Sequence, residues 1–436
     1  MKIAILGYAR QGQSAAEYYS QDKNNEITVC DIKQDIEIPK NYQKKLGKTY
    51  LDNLDEFDLI VRSPSIHPKD IVKNNNEKIL EKVTTTTNIF FEVCPTKNII
   101  GVTGTKGKGT TSTLISKMLE KAGYRVHLGG NIGLDPLQLL KENIKAQDWV
   151  VLELANFQLI DLKLSPRIAI CLTFTPEHLD WHTNTNEYLQ AKKQLFRWQK
   201  KDEIAIYYSA NNYSTQIASA SNGKKIPYLK QPGAIVENDL VKIDGKIICQ
   251  RNEIKLIGDH NLQNICAAVT AVWQITQDIN SIKSAIESFS GLPHRIEFVK
   301  EINNIRFYND SFATAQGATI AAINAIKENK VLILGGYDRG MDLNEIIAEI
   351  RLHKNDISNF VLIGSTANLL KKELSDNGFS NFTVVKSKEM KDIVKTAYSL
   401  AKPGEAVIFS PAFASFDMFK DFEDRGNQFK NQVMYL

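Results

Sequence analysis

The stretch Asn98-Ile99-Ile100-Gly101-Val102-Thr103-Gly104-Thr105-Lys106-Gly107-Lys108-Gly109-Thr110-Thr111 decides how this chain is read. A short apolar run predicts a strand, a glycine-rich turn follows, and a helix-forming segment opens after it. Glycines let successive backbone N–H groups converge, the helix N-terminus adds a positive field, and Lys108 adds a point charge. That combination is a phosphate cradle, so ATP or GTP is the first ligand to expect. The spacing departs from the common pattern at two places. Val102 stands where a glycine is usual, and Gly109 stands where a hydroxyl follows the lysine, so Thr110 becomes the candidate for a Mg²⁺-facing hydroxyl.

The chain around this loop has 436 residues, and a prior of about 150 residues per domain points to three domains. Apolar residues make up 43% and charged residues 24%, an ordinary globular balance. Lysine and arginine number 54 against 50 acidic residues, without a long basic block, so nucleic acid is not implied. Cys30, Cys94, Cys171, Cys249 and Cys266 are widely spaced with no Cys-x-x-Cys pair, which predicts buried free thiols in a reducing cytoplasm. Met1-Lys2 leads directly into Ile3-Ala4-Ile5-Leu6-Gly7, a strand and turn rather than a signal peptide, and no apolar run reaches membrane-spanning length. The expectation is a cytoplasmic protein without a membrane partner.

Three segments follow one another. The first has a strand to Leu6, glycines at Gly7 and Gly12, a helix from Ala15, and a second strand Ile27 to Cys30 ending at Asp31. This is a nucleotide-binding βαβ opening in outline, although the two glycines fit a structural turn equally well. Asp58 to Val61 leads into Arg62-Ser63-Pro64-Ser65-Ile66, a strand ending in a polar turn, and Thr84 to Thr87 reads as a low-complexity linker. The middle segment alternates strands (Trp149 to Leu154, Ile168 to Leu172) with helices, adds a hairpin around Asp244-Gly245, and ends in an Ala-rich helix after Gly258-Asp259-His260-Asn261. The last segment carries strands at Lys330 to Gly336, Phe360 to Gly364 and Ala406 to Ser410, a second doubly wound α/β unit.

Several residues stand out chemically. Glu153 sits in an apolar strand where an isolated carboxylate is costly to bury, and a metal ion would resolve that cost. Thr175-Pro176-Glu177-His178-Leu179-Asp180-Trp181-His182 follows another strand, and Lys192 lies beyond it. A histidine at a strand end is by itself usually a hydrogen-bonding group; three such elements after a phosphate loop point to metal-assisted phosphate chemistry. Asn309-Asp310-Ser311-Phe312-Ala313-Thr314 and Ser410 to Asp417 suit carboxylate or phosphate recognition, and also suit simple loop capping.

Nine motifs, taken in order, resemble the Mur ligase family over almost the whole chain. They are Gly104 to Lys108, Gly129-Gly130-Asn131-Ile132-Gly133, Leu152-Glu153-Leu154-Ala155-Asn156-Phe157-Gln158-Leu159, Glu177-His178-Leu179-Asp180 and Gly258 to Asn264. Leu292-Pro293-His294-Arg295, Asn309-Asp310-Ser311, Gly335-Gly336-Tyr337-Asp338-Arg339-Gly340 and Ser410 to Gly426 complete the set. The resemblance implies an α/β chain of three domains: a Rossmann-like UDP-binding domain (1–93), a central P-loop ATPase domain with a mostly parallel sheet (94–295), and a Rossmann-like glutamate-binding domain (296–436). A hinge is expected near Leu292 to Arg295. The implied reaction belongs to peptidoglycan precursor synthesis, and so to wall growth, cell shape and division. ATP phosphorylates the carboxylate of UDP-N-acetylmuramoyl-L-alanine, D-glutamate attacks the acyl phosphate, and the adduct collapses to amide and phosphate. A monomer is expected.

By the same resemblance, Gly104, Thr105, Lys106, Gly107, Lys108, Gly109 and Thr110 hold the ATP phosphates, and Asn264, Arg295 and Asp310 hold its adenine, ribose and phosphate region. Thr110, Glu153, His178 and Lys192, the last as a carbamate, face two Mg²⁺ ions, with Lys108, Glu153, His178 and Lys192 as the catalytic set. Thr314, Arg339, Ser415 and the backbone of Phe422 match positions that contact the glutamate carboxylates. Tyr8, Ala9, Arg10, Asp31, Ser63 and Asn131 occupy the uridine, diphosphate and sugar positions. Three departures from the family pattern are visible. Ser65 replaces a glycine; Gly109-Thr110 looks like the folylpolyglutamate synthases; and Phe312 replaces the lysine of Asp-Ser-Lys-Ala-Thr, so that either Lys106 or another cation compensates or turnover is reduced. The alternatives are a folylpolyglutamate synthase or another amino-acid-adding ligase, including one for L-glutamate, and a catalytically silent nucleotide-binding homologue.

Overall fold

The computed structural model describes residues 1–178 and 181–436. The chain forms two compact units, one from Met1–Ile254 with His260–Ser288 and the other from Lys255–Asp259 with Phe289–Leu436.

The first unit opens with β1 (Lys2–Leu6), β2 (Glu26–Asp31), β3 (Gln43–Leu46), β4 (Leu59–Arg62) and β5 (Val83–Thr84), a parallel sheet in the order β3-β2-β1-β4-β5. Ile3, Ala4, Ile5 and Leu6 are fully buried, as expected of a strand covered on both faces. The Thr84 to Thr87 run is not a linker. Val83–Thr84 pairs with β4, and the Thr85 hydroxyl accepts from Asn88 N at 3.1 Å to cap the helix Thr86–Val93. Threonine at an N-cap satisfies an orphan amide, so the run begins a helix. Phe90 and Phe91 of that helix pack into the core of the next sheet, with Val150, Leu152 and Leu154.

That next sheet holds β6 (Ile99–Thr103), β7 (Val126–Gly130), β8 (Trp149–Glu153), β9 (Ile168–Cys171), β10 (Ile204–Tyr208) and β11 (Lys224–Tyr228), all parallel, in the order β11-β10-β9-β6-β8-β7. Burying one of its Ile, Val or Leu side chains contributes roughly 1.5–3 kcal/mol. The order matters for the site. Strand β6 is central, flanked by β8 and β9, so the turn after β6 and the residues ending β8 and β9 emerge side by side at the carboxyl edge, where open α/β sheets bind ligands. A small antiparallel sheet follows: β12 (Ile235–Glu237), β13 (Leu240–Ile243) and β14 (Lys246–Gln250). Asp244 and Gly245 both have positive φ, 50° and 71°, the primed turn that Asp-Gly favours.

The second unit contains β15 (Glu297–Ile302), β16 (Ile305–Asn309), β17 (Lys330–Gly335), β18 (Ile357–Ile363), β19 (Phe382–Val384) and β20 (Ala406–Phe409) in the order β15-β16-β20-β17-β18-β19. Only β15 runs antiparallel to its neighbour. The helices lie in two layers, one core around Leu332, Leu334, Ile346 and Phe360 and another around Ile333, Val361, Phe409 and Phe429. All five cysteines are buried and unpaired. Among the described residues, no helix is long and apolar enough to cross a membrane.

Candidate active site

The phosphate loop turns between β6 and the helix Lys108–Lys121, with Gly107 at the N-cap in the left-handed region (φ 84°). A Cβ on Gly107 would stand 2.2 Å from Asn264 Oδ1, so the glycine is required by close approach as well as by dihedral angle. Asn264 is buried on the helix His260–Trp273, bonded to Asn261 and reached by the Thr111 hydroxyl at 3.5 Å, and so backs the loop from below. The ammonium of Lys108 curls over the loop onto Gly104 O and Thr105 O, at 3.1 and 3.0 Å. Thr105 is tied to the turn after β9, its N–H donating to Thr173 O and its hydroxyl to Thr175 O. Lys106 is exposed, Gly109 buried and Thr110 partly exposed on the first helical turn.

Glu153 ends β8, directly opposite Val102 of β6, and is 3% exposed. Its Oε1 accepts from Asn131 Nδ2 at 2.9 Å, while its Oε2 is buried without a protein partner. A carboxylate half-satisfied in this way is what a divalent cation completes. Lys192, on the helix Thr185–Arg197, is also buried, and its Nζ lies 2.9 Å from Gly104 O, 3.4 Å from Thr103 Oγ1 and 4.7 Å from the Tyr188 ring centroid. Burial, then the nearby charge of Lys108, pulls the Lys192 amine down to about 7. An amine neutral near physiological pH is the form that reacts with carbon dioxide. His178 is exposed, with a left-handed backbone (φ 58°), and its ring meets Phe157 and Tyr188 at 4.9 and 6.2 Å. Leu179 and Asp180 of its motif lie outside the described residues. The Tyr188 hydroxyl also lies 3.3 Å from Thr105 Oγ1, so this ring joins the lysine, the histidine and the phosphate loop, a link that no motif spacing announced. The orphaned Glu153 oxygen and the softened Lys192 amine fit a Mg²⁺ centre carrying a modified lysine.

The residues expected on the UDP side gather at the carboxyl ends of β1, β2 and β4. Tyr8 N donates to Asp31 Oδ2 at 2.7 Å, Ala9 is the helix N-cap, and Arg10 reaches Gly133 O at 2.9 Å. Ser63 is buried, its hydroxyl 3.4 Å from that of Ser65. A Cβ on Gly12 would meet Gly7 O at 1.9 Å, so this glycine allows the helix to pack on the turn. Asn131 follows β7, two residues before the Gly133 carbonyl that Arg10 reaches, and its amide donates to Glu153.

The sequence reading missed two polar ties between this first sheet and the central one. Arg62 is buried and forms a fork with Asp161, at 2.8 and 2.7 Å, besides bonding Ile66 O and Phe157 O. Glu187 Oε2 accepts from His67 Nε2 and His182 Nδ1, each at 3.2 Å, and from Thr183 N at 2.8 Å. These three side chains bring ligand-type atoms within 4.8 Å of one another. The Lys69 N–H donates to His67 Nδ1 at 3.1 Å, which puts the ring proton on Nε2, facing the carboxylate. The cluster is a hydrogen-bonded node; His182 N also bonds His178 O at 2.8 Å, so the node supports the His178 turn. Such partners 120 residues apart leave no local signal.

In the second unit, Asp310 follows β16 and is buried; its carboxyl accepts from Ser410 Oγ at 2.6 Å and Ile296 N at 3.1 Å. Burial pushes it up to about 7 against those bonds. Arg295 is half-buried, with its guanidinium carbon 3.8 Å from the Phe312 ring centroid. Thr314 is partly exposed, Ser415 buried, and Arg339 exposed with its guanidinium 5.7 Å from the Phe416 ring. Phe422 opens the last helix, and its carbonyl accepts from Ser311 Oγ at 2.8 Å. His294, beside the expected hinge, is buried and lies 2.9 Å from Asn309 Nδ2.

Residues 102–272 match the Mur ligase middle domain and residues 294–413 the Mur ligase glutamate ligase domain. The chain is 37% identical to the UDP-N-acetylmuramoylalanine--D-glutamate ligase of Acetivibrio thermocellus, covering 99% of this chain and 96% of that protein. It is 33% identical to the enzyme of the same name from Clostridium tetani, over 100% of this chain and 97% of the other. Among solved structures, the MurF ligase from Thermotoga maritima in complex with ADP shares the fold, with a TM-score of 0.59, 16% identity, and coverage of 99% and 94%.

Proposed function

The chain belongs to the Mur ligase family, and from that premise we propose that it is an ATP-dependent amide ligase joining D-glutamate to UDP-N-acetylmuramoyl-L-alanine, at the cytoplasmic stage of peptidoglycan precursor synthesis. The observation that carries the site reading is the Glu153 carboxylate, buried beside the phosphate loop with one oxygen unpartnered, and the buried amine of Lys192 close to the same loop.

The three domains, 1–93, 94–295 and 296–436, hold UDP-substrate, ATP and glutamate in turn, and the enzyme acts as a monomer. Lys108 and the backbone of residues 104–110 hold the ATP phosphates, with Asn264 supporting the loop and Arg295 and Asp310 on the nucleotide side. Glu153, His178, Thr110 and Lys192, the last as a carbamate, would hold two Mg²⁺ ions. Bound there, Mg²⁺ neutralises phosphate charge and polarises the phosphoryl oxygens. Lys192 becomes the carbamate when its neutral amine adds to carbon dioxide and loses a proton, so that a neutral group becomes an anion. Tyr8, Ala9, Arg10, Asp31, Ser63 and Asn131 hold the UDP end, and Asn131 also orients Glu153. Thr314, Arg339, Ser415 and the Phe422 backbone hold glutamate, Arg339 through its planar fork.

The substrate carboxylate attacks the terminal phosphorus of ATP and ADP leaves. The glutamate amine then attacks the acyl carbon, loses a proton, and phosphate departs as the amide forms. Lys108 and the loop N–H groups stabilise charge as it develops on the transferred group. The relatives' shared name supports D-glutamate over the folate alternative, and the Glu153, His178 and Lys192 set supports a working enzyme over a silent homologue.

The test is phosphate release from Mg²⁺-ATP with UDP-N-acetylmuramoyl-L-alanine and each glutamate enantiomer separately, with products weighed by mass spectrometry. A product with D-glutamate alone supports the reading. A product with L-glutamate alone or with folate substrates, or no product, overturns it.

A further inference from the structure

Phe312 occupies the position where the family pattern carries lysine, so one cation is missing from the turn after β16. The turn fixes this side chain firmly. Phe312 N donates to His294 O at 3.0 Å, Ala313 N to Asp310 O at 2.9 Å and Thr314 N to Phe312 O at 2.8 Å. The ring is thereby held beside residues 294 and 295, and the Arg295 guanidinium lies over its face at 3.8 Å. On its other side the ring meets Phe422 nearly at right angles, 5.0 Å between centroids, and Ser311 Oγ bonds the Phe422 carbonyl. Phe312 thus touches one residue assigned to the nucleotide and one assigned to glutamate, yet it is 38% exposed and contributes little to the core.

A guanidinium is planar and weakly hydrated, so an aromatic face is a good support for it, better than for an ammonium. A lysine at 312 would place a second cation where the ring now lies, next to Arg295, and like charges at that distance repel. With lysine, charge at 312 acts directly; with phenylalanine, the ring fixes the direction of the charge at 295.

We propose that Phe312 is a positioning residue that acts through Arg295: its ring is the platform that aims the guanidinium at the nucleotide, in place of the lysine's own charge. The proposal rests on the nucleotide-side reading of Arg295 given above. It makes Phe312 a compensated substitution and removes the sequence argument for a silent homologue.

The experiment compares F312Y, F312L, F312K, R295A and the double variant F312L/R295A in the full chain. Affinity for ADP is read by calorimetry, kcat and KM for ATP by phosphate release, and folding by thermal unfolding. F312L is expected to weaken ADP binding and raise KM for ATP by about fivefold, the scale of one exposed cation–π contact, with kcat little changed. F312Y keeps the platform and is expected to behave as the parent. In the R295A background F312L adds nothing, because its route is already gone. F312K exchanges the platform for the family's own charge, and its ADP affinity is expected to lie above that of F312L without exceeding the parent's. Unchanged ADP affinity in F312L, a full F312L effect without Arg295, or F312K exceeding the parent would each overturn the proposal. Should the chain release no phosphate, the ligase reading fails while the ADP titrations still decide the role of Phe312; an R295A chain that binds ADP as the parent does removes the nucleotide role of Arg295, and the proposal with it.

Discussion

Asn131 Nδ2 donates to Glu153 Oε1 at 2.9 Å and leaves Glu153 Oε2 buried and open. One oxygen is held so that the other is presented. Asn131→Ala should loosen the carboxylate and raise the Mg²⁺ concentration for half-maximal activity by about tenfold, as losing a partner behind a metal ligand does. Glu153→Gln separates site from scaffold, because it removes a buried charge that the protein alone does not satisfy. Activity should fall by about 100-fold or more, with a thermal midpoint no lower than the parent's in metal-free buffer. A large loss of stability in Glu153→Gln would mean that the carboxylate serves the fold.

Lys192 gives a pH prediction with a definite sign. Its amine is lowered to about 7, first by burial and then by Lys108. Only the neutral amine adds carbon dioxide, so enzyme stripped of carbon dioxide should regain activity, at equal dissolved carbon dioxide, faster at about pH 8 than at about pH 6. The folded pKa lies below the unfolded value of 10.5. Between the two, the unfolded chain binds more protons, so stability of the unmodified protein rises with pH across that window. Lys192→Met should flatten that slope and abolish activity. Parent-like turnover in this variant would remove Lys192 from the chemistry.

Gly107 tests the cradle. An alanine there meets two obstacles, a positive φ of 84° and the Asn264 amide oxygen 2.2 Å from its Cβ. Asn264 is buried and held by Asn261, so it cannot yield freely. Gly107→Ala should weaken ATP by at least about tenfold and cost about 1–3 kcal/mol in urea unfolding. Asn264→Ala combined with Gly107→Ala should recover part of the stability, since one obstacle is gone. No recovery would assign the whole cost to the backbone angle.

What the sequence made legible divides along physical lines. Strands, the phosphate turn and the Asp244-Gly245 hairpin are local, written in apolar runs and in the residues that turns require, and they stand where the pattern put them. Thr84 to Thr87 misled because composition alone looks like a linker, whereas the Thr85 cap and the buried Phe90 and Phe91 make the segment a helix. Glu153 was visible as a charge in an apolar strand. Its pairing with Asn131, 22 residues earlier, was not legible, because pairing between strand ends depends on sheet order. Arg62 with Asp161 and His67 with Glu187 were invisible for the same reason, being 99 and 120 residues apart. Phe312 read as a loss until its neighbour Arg295 was placed over its face.

Glu187 is the last case, because it holds the turn that bears His178 without belonging to the catalytic set. One oxygen accepts three hydrogen bonds, from Thr183 N, His67 and His182. Burial opposes the charge, but the Thr183 and His67 bonds outweigh it and hold the Glu187 carboxyl below its usual range. His182 is lowered too, by burial in the first place. Both shifts act in one direction. A depressed carboxylate loses its contribution as pH falls through its folded value, and a depressed histidine opposes folding as pH falls below its unfolded value. Glu187→Gln keeps the shape but weakens all three bonds, so it should cost about 1.5–3 kcal/mol near neutral pH. The deficit should shrink on acidification, because the parent loses what the variant already lacks. Through His182 N and His178 O the loosened turn should also raise the Mg²⁺ requirement, while KM for ATP stays close to the parent's. Urea unfolding across pH and a Mg²⁺ titration of phosphate release decide it. A variant matching the parent in both would leave the node without a role, and a constant deficit at every pH would trace the loss to packing rather than to charge.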